Sequence, residues 1–173
     1  KSQIEIEKAV RNMGYMRADV KLDKKIKKKK LKLNYQISTD KLYKINHIAY
    51  HIDDLRIQEI IDKDSLNSHL YAGMPFNIVT LDAERQRITK LLQEQGYYKF
   101  NKDFLVYQAD TVRNTFKVNL TMKLLPYQRK KEDIPTQHQA YKVRNINFIE
   151  ENNIAHYDND LSVYDSTQYK GLN

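Results

Sequence analysis

The chain has 173 residues, no cysteine and a formal net charge of +8. The length suffices for one compact domain or up to two small ones, and a hydrophobic fraction of 40% allows a packed core. The composition excludes disulfides, thiolate metal sites and cysteine nucleophiles. No apolar run reaches the roughly 18 residues that a membrane-spanning helix needs.

The first predicted elements are a helix and two strands. Ile6 and Met13 lie on one apolar helical face that ends at Gly14, and residues 16–22 and 31–37 alternate between apolar and polar side chains. The chain opens in this helical pattern without the apolar segment of a signal peptide, so we expect an internal fragment of a longer protein.

Most of the excess positive charge lies between these two strands. Seven lysines fall between Lys24 and Lys32, a position that predicts a hairpin tip. One interpretation is contact with anionic headgroups or an acidic partner, through Lys27, Lys28, Lys29 and Lys30. The simpler one is a solvated hairpin whose charges prevent aggregation at the strand edge.

The middle of the chain predicts the order β-α-α-β-β. A strand through Ile48–Ile52 passes at Asp53-Asp54 into a first helix, and the loop Ala72–Phe76 precedes a second. For the second helix we expect Thr80 as N-cap, with Asp82 and Glu84 in the first turn. The helix ends at Gly96, and strands follow at about Lys99–Gln108 and Phe116–Leu124.

Two pairs of segments repeat. Lys8–Met16 resembles Lys90–Tyr98, the end of a helix closed by Gly-Tyr, and Tyr43–Tyr50 resembles Tyr141–Phe148. In the second pair the apolar alternation changes phase once, which is typical of a β-bulge. The repeats predict a truncated unit at 1–40, a complete unit at 41–126, a polar linker at 127–140 and the start of a third unit at 141–173.

Three short motifs mark the complete unit. It has a Gly-x-Pro-Phe loop at Gly73–Phe76, a Leu-x-x-x-Arg helix at Leu81 and Arg85, and a closing Gly-Tyr-Tyr at Gly96–Tyr98. In this order the motifs resemble POTRA domains, the periplasmic repeats of BamA/TamA-type outer-membrane proteins. The resemblance covers Ile4 to about Phe148. It implies an α+β fold of tandem POTRA-like β-α-α-β-β units, each a three-stranded mixed sheet covered by two helices.

The resemblance also implies a function. The chain would be the periplasmic arm of an outer-membrane assembly or translocation factor, tethered by a C-terminal membrane barrel of the same chain. Its expected partners are unfolded outer-membrane or lipoprotein clients and accessory periplasmic proteins, with no cofactor and no nucleic acid. The composition, rich in Lys, Asn and Tyr, is similar to that of the Bacteroidetes branch. The long polar stretch Glu150–Asn173 departs from the family pattern.

In the resembled family, the strand after Gly-Tyr lies at a sheet edge, where an extended client can pair. The residues expected to offer this edge are Lys102, Asp103, Phe104, Leu105, Val106 and Tyr107. Four of them in succession are apolar, so either Phe104 and Val106 or Leu105 and Tyr107 must point away from the helices. The competing interpretation is packing against a neighbouring domain.

An enzyme is not expected. His47 and His51 fall on a strand pattern and do not share a helical face as metal ligands, and no nucleophile elbow or phosphate loop is present. Asp158 and Asp160 hint at a calcium loop, but Val163 occupies the position that requires glycine. Two alternatives stay open. One is a basic α/β nucleic-acid-binding module, and the other is the POTRA region of a two-partner secretion transporter.

Overall fold

A computed structural model describes residues 2–128, 132–145, 147–150 and 165–168. For the last two ranges it describes the backbone alone. Contacts divide the chain into two units, residues 1–139 and residues 140–173. The predicted boundary at residues 40/41 therefore lies within one unit, and the subdivision into repeats stays a prediction.

The first unit begins with a helix packed on a β-hairpin. Helix α1 (Ser2–Asn12) is followed by β1 (Asp19–Lys27) and β2 (Lys30–Ser38), which pair antiparallel. The helix contacts β1 directly, because the side chain of Gln3 donates to the carbonyl of Val20 at 2.5 Å. The elements follow the predicted α-β-β order.

The remainder of this unit is one three-stranded sheet with two helices. Its elements are β3 (Lys44–His51), α2 (Leu55–Lys63), α3 (Ile78–Glu94), β4 (Leu105–Thr111) and β5 (Lys117–Leu124). Strand β5 is central, parallel to β3 and antiparallel to β4. The predicted α+β class, with a mixed sheet and two helices, is confirmed.

The predicted phase change in β3 is a β-bulge. The register with β5 shifts between Ile45 and His47, so Asn46 is the extra residue. The Asn46 side chain is exposed and donates to the side-chain oxygen of Asn119 at 2.9 Å. Because of the bulge, Ile45 and Ile48 both face the helices although they are three residues apart.

Two apolar clusters hold the helices on the sheet. The first includes Ile57 and Ile61 of α2, Ile88 and Leu92 of α3, and Met122 of β5. The second surrounds the bulge and comprises Tyr43, Ile45, Leu70, Met74, Phe76, Leu81, Val118 and Leu120. Each fully buried side chain of this size contributes about 1.5–3 kcal/mol relative to an exposed one. The core therefore depends on both helices.

The two Gly-Tyr sites have the same backbone geometry. Gly14 and Gly96 follow α1 and α3 with φ of +103° and +94°. Their amides donate to the carbonyls of Arg11 at 2.9 Å and Gln93 at 3.0 Å, respectively. This left-handed conformation is one that glycine adopts without a steric penalty, so each glycine ends its helix for the same reason.

The equivalence extends beyond the glycines. Ala18 and Phe100 each lie four residues after the glycine and are buried. The amide of each donates to the carbonyl of the tyrosine that directly follows the glycine, Tyr15 or Tyr97. Their own carbonyls accept from the preceding helix, from an Arg11 nitrogen at 3.1 Å and from Gln93 Nε2 at 2.8 Å. The sequence repeat is therefore also a structural repeat at these two sites.

Gly14 also joins the first α-β-β segment to the sheet that follows. Its carbonyl accepts from the amide of Tyr43 at 3.0 Å. A Cβ atom at Gly14 would lie 2.8 Å from the carbonyl oxygen of Phe76 and 3.0 Å from a methyl carbon of Leu42. This close approach leaves no room for a side chain.

Helices α2 and α3 begin at side-chain caps. Asp54 accepts from the amides of Arg56 and Ile57 at 3.0 and 3.2 Å, which fits the predicted acidic turn before α2. Asn77 caps α3 by accepting from Val79 N at 2.8 Å. The prediction of Thr80 as N-cap is wrong because Asn77, an equally good cap, comes earlier. Asp82 and Glu84 consequently lie beyond the first turn.

A buried carboxylate fixes the loop between α2 and α3. Glu84 is fully buried and accepts from Ser68 Oγ at 2.9 Å, from the amide of His69 at 2.8 Å, and from two Arg87 nitrogens at 2.8 and 3.0 Å. Arg87 also contacts Asp64. Burial raises the pKa of Glu84, but the hydrogen bonds from Arg87, His69 and Ser68 outweigh it and lower the pKa overall.

The second unit contains an antiparallel strand pair, β6 (Asn147–Glu150) and β7 (Asp165–Gln168). The predicted strand Tyr141–Phe148 overlaps β6 only at its end, because residues 141–145 are described outside regular structure. Asp158, Asp160 and Val163, discounted as a calcium loop, lie outside the described residues. The start of a third repeat at 141–173 stays a prediction.

Candidate strand-pairing edge

Strand β4 lies at one edge of the sheet, with β5 as its neighbour among the described strands. Three of the six predicted edge residues, Leu105, Val106 and Tyr107, belong to this strand. The other three, Lys102, Asp103 and Phe104, form a single 3-10 turn before it. The expected strand start at Lys99 is therefore wrong.

The local reason is a cap on the turn. The Asn101 side chain accepts from the amide of Asp103 at 2.9 Å, and the Leu105 amide bonds back to the carbonyl of Lys102. The strand extends further along the chain than expected, to Thr111.

In β4, the backbone amides and carbonyls of every second residue point to the open edge of the sheet. The Phe104 carbonyl accepts from Leu125 N at 2.8 Å, and the Val112 amide donates to the Lys117 carbonyl at 2.9 Å. The register between these bonds is regular, so even-numbered residues bond to β5. The amides and carbonyls of Tyr107, Ala109 and Thr111 therefore point away from the sheet.

The side chains resolve the predicted alternatives. Leu105 is fully buried in the first apolar cluster, and Tyr107 packs against both clusters, donating its hydroxyl to the carbonyl of Leu81 at 3.3 Å. Burial raises the pKa of Tyr107, so it stays a neutral donor. Val106 is the residue on the opposite face.

The other edge of the sheet is partly covered. The loop Gly73–Phe76 bonds to the start of β3: Ile45 N donates to Met74 O at 2.9 Å, Gly73 N to Ile45 O at 2.7 Å, and Phe76 N to Tyr43 O at 2.9 Å. The Gly-x-Pro-Phe motif thus occupies the β3 edge at Lys44 and Ile45. Of the two edges, β4 is the more accessible to another strand.

Charged side chains of α3 fix the position where β4 begins. Arg85 donates to the carbonyl of Lys102 at 2.7 and 3.0 Å, and Lys102 Nζ contacts Asp82 at 2.8 Å. The hydrogen bond from Lys102 lowers the pKa of Asp82. The sequence indicated Arg85 as a motif residue but not its contact with Lys102. The spacing of three between Asp82 and Arg85, which places both on one helical face, was the signal that could have indicated it.

An aromatic cluster packs at the same end of β4. His138 lies against the rings of Phe100 and Phe104, with centroid distances of 4.9 and 4.7 Å, and its Nε2 is 2.8 Å from the carbonyl of Leu125. Tyr127 forms an isolated bridge with Thr136. Part of the predicted linker 127–140 thus folds back onto the sheet, which its polar composition did not indicate.

The predicted basic residues lie at the turn of a different sheet. Lys27 ends β1, Lys30 begins β2, and Lys28 and Lys29 form the two-residue turn with φ of 44° and 61°. All four are exposed. The hairpin-tip prediction is confirmed, whereas the expected anionic contact stays a prediction.

Several other features bear on the alternatives. The face of the three-stranded sheet turned away from the helices carries no Phe, Tyr or Trp, since Tyr50 and Tyr107 both pack toward the helices. The exposed rings on that face are those of His47 and His51. Over the described ranges, no three His, Asp or Glu residues converge as metal ligands, and no helix is long and apolar enough to span a membrane.

Two solved structures are similar to the chain. The first, BamA from Haemophilus ducreyi lacking POTRA domains 1–3, shows 16% identity and a TM-score of 0.46. The similarity covers 86% of this chain and 24% of that structure's chain. BamA POTRA3–5 from Haemophilus influenzae shows 12% identity and a TM-score of 0.46, covering 91% of this chain and 73% of that one. No protein-family model and no curated protein sequence matches the chain. The Bacteroidetes type stays a prediction.

Proposed function

We propose that the chain is part of the periplasmic arm of an outer-membrane protein-assembly factor and that it binds client polypeptides by strand addition at β4. The observation that carries the proposal is the row of outward-facing backbone groups at Tyr107, Ala109 and Thr111. The motif order of the complete unit, which resembles POTRA domains, supplies the biological setting.

Strand addition suits this edge for a physical reason. An extended client bonds through its backbone, so affinity depends little on its side chains and many different clients can be accepted. The edge is also preorganised. The contacts of Arg85 and Lys102 fix one end of β4, and Leu105 anchors its inner face in the core.

The distal part of the edge leaves room for a client. Gln108, Ala109, Asp110 and Thr111 are all exposed, and Ala109 carries the smallest side chain of the strand. The carboxylate of Asp110 adds a charge that opposes self-pairing of two copies of this edge. The arrangement favours a transient client over a permanent dimer.

A proline at Ala109 tests the edge directly. Ala109→Pro removes an amide that points to the open edge, and no hydrogen bond with β5 is lost. The domain should therefore fold while client pairing weakens. A photoreactive residue at Gln108 would report capture of a urea-unfolded outer-membrane barrel protein on dilution. We expect the cross-linked yield to fall several-fold.

Two controls separate edge pairing from loss of structure. Ala109→Thr keeps the amide and should leave the yield unchanged. Val106→Pro removes an amide that bonds to β5 and should reduce the stability of the sheet itself. Unaltered cross-linking in a folded Ala109→Pro protein would contradict client binding at β4.

A further inference from the structure

The tip of the β1–β2 hairpin combines like-charge pairs, a costly turn and exposed apolar side chains. In the register of this hairpin, Lys25 lies directly opposite Lys32 and Lys27 opposite Lys30. Like charges directly opposite each other on neighbouring strands destabilise the pairing. Lys25 contacts Asp23 at 3.6 Å, and over the described ranges the other lysines of the tip form no ion pair.

The turn itself is not optimised for folding. Lys28 and Lys29 both have positive φ, the geometry of a type I′ turn, for which Asn-Gly is the favoured sequence. A left-handed conformation at a residue with a long side chain costs free energy. The lysines therefore occupy positions where two other residue types would make a more stable hairpin.

An apolar pair completes the tip. Ile26 lies opposite Leu31 on the other face of the ribbon, one pair before the turn, and the two side chains are 79% and 59% exposed. Neither residue belongs to an apolar cluster of buried residues in the described chain, and each exposes apolar surface beside a cluster of cations. A costly turn and like-charge pairs beside exposed apolar surface, concentrated at one place, are characteristic of a functional site.

We propose that this hairpin tip, Lys24–Lys32, is a docking element for an anionic phospholipid bilayer. With its apolar face toward the bilayer, the hairpin places Ile26 and Leu31 at the boundary between headgroups and acyl chains. Lys24 on the same face and Lys28 and Lys29 at the turn reach the lipid phosphates with their long side chains.

The combination of charge and apolar surface selects this partner over other polyanions. A nucleic acid or an acidic protein would satisfy the lysines but not Ile26 and Leu31. The inference does not depend on client binding at β4, because the two elements belong to different sheets.

Co-sedimentation with vesicles tests the inference. The 173-residue chain should bind vesicles of phosphatidylglycerol and phosphatidylcholine, but not pure phosphatidylcholine, and the binding should weaken with added salt. Lys28→Asn/Lys29→Gly removes two charges and installs the favoured turn. Because each lysine near the surface contributes on the order of 1 kcal/mol, affinity should fall roughly tenfold or more, while the hairpin becomes more stable.

A second variant tests the apolar contribution. Ile26→Thr/Leu31→Thr keeps every charge and a strand-forming side chain, and it should weaken vesicle binding at least about threefold without changing binding to heparin. The matched control, Lys63→Gln/Lys90→Gln, removes two exposed helical lysines and should leave vesicle binding unchanged. Vesicle binding that is independent of phosphatidylglycerol, or wild-type affinity in the Thr/Thr variant, would overturn the inference.

Discussion

Two regions of the chain, residues 2–38 and residues 44–124, share a helix-glycine-hairpin arrangement but differ in burial. In the second region, Val118, Leu120 and Met122 of β5 are fully buried. In the first, Leu31, Leu33 and Ile37 of β2 remain exposed, because α1 packs mainly on β1. The comparison shows that Gly-Tyr sets the local geometry, whereas burial depends on the helices that cover the face of the sheet.

The largest difference should come from truncating one leucine in each region. Leu120→Ala empties a fully buried position and should lower the free energy of unfolding by about 2–5 kcal/mol. Leu33 of β2 is 42% exposed, so Leu33→Ala should lower the free energy of unfolding by less than about 1 kcal/mol. Urea unfolding of both variants checks the prediction. Equal losses would mean that the hairpin is buried as deeply as the sheet.

The second prediction concerns the buried carboxylate, which has no counterpart in the first region. Glu84→Gln keeps the shape of the side chain but leaves Arg87 with Asp64 as its remaining carboxylate partner. We expect a loss of about 3 kcal/mol at neutral pH, the lower end of the cost of breaking a buried ion pair, because Asp64 still pairs with Arg87. Urea unfolding at pH 7 measures it, with Glu94→Gln on the exposed end of α3 as the control.

The same variant has a defined pH dependence. The pKa of Glu84 is lower in the folded protein than in the unfolded chain. Its stabilisation is therefore complete above the unfolded value of about 4.3 and is lost as the pH falls through the folded value. The difference in stability between wild type and Glu84→Gln should be constant between pH 6 and 7 and shrink below about pH 4. A difference that grows on acidification would contradict this assignment.

Periodicity and motifs predicted the order of elements but not the long-range polar contacts. The alternation of β5, the bulge at Asn46 and the helix ends at Gly14 and Gly96 are local consequences of side-chain pattern and backbone conformation. They could therefore be read along the chain. The orientation of Leu105 and Tyr107 could not, because four successive apolar residues fit either face.

The contacts that were missed join residues far apart in sequence. Glu84 was expected to interact with a helix terminus, whereas its partners Ser68 and His69 belong to the preceding loop. His138 lies in a stretch whose composition predicts a linker, yet it packs on Phe104. A charged or polar residue carries no periodic signal for burial, so these positions require the tertiary structure.

A smaller effect should separate two glycines with positive φ. Gly73→Ala places a methyl group in open space, so the cost is that of the left-handed conformation alone, about 1 kcal/mol. Gly14→Ala adds a close contact with the carbonyl of Phe76 and should cost at least about 2 kcal/mol. Thermal unfolding of the two variants gives the difference. Equal costs would show that the contact between Gly14 and Phe76 relaxes freely.

The smallest effect tests whether the two Gly-Tyr sites are energetically equivalent. Arg11→Ala and Gln93→Ala each remove a side-chain donor to the carbonyl four residues after the glycine. Each should cost about 1 kcal/mol, since Gln93 loses one hydrogen bond and Arg11 loses two longer ones to a single carbonyl. Because β2 of the first region leaves its apolar side chains exposed, the Arg11 variant should act locally, with faster amide exchange in β1 and an unchanged global transition. The Gln93 variant should lower the global stability, since Phe100 belongs to the first apolar cluster. If both variants shift the global transition equally, residues 2–38 unfold together with the sheet, and the difference in burial does not translate into separate stability.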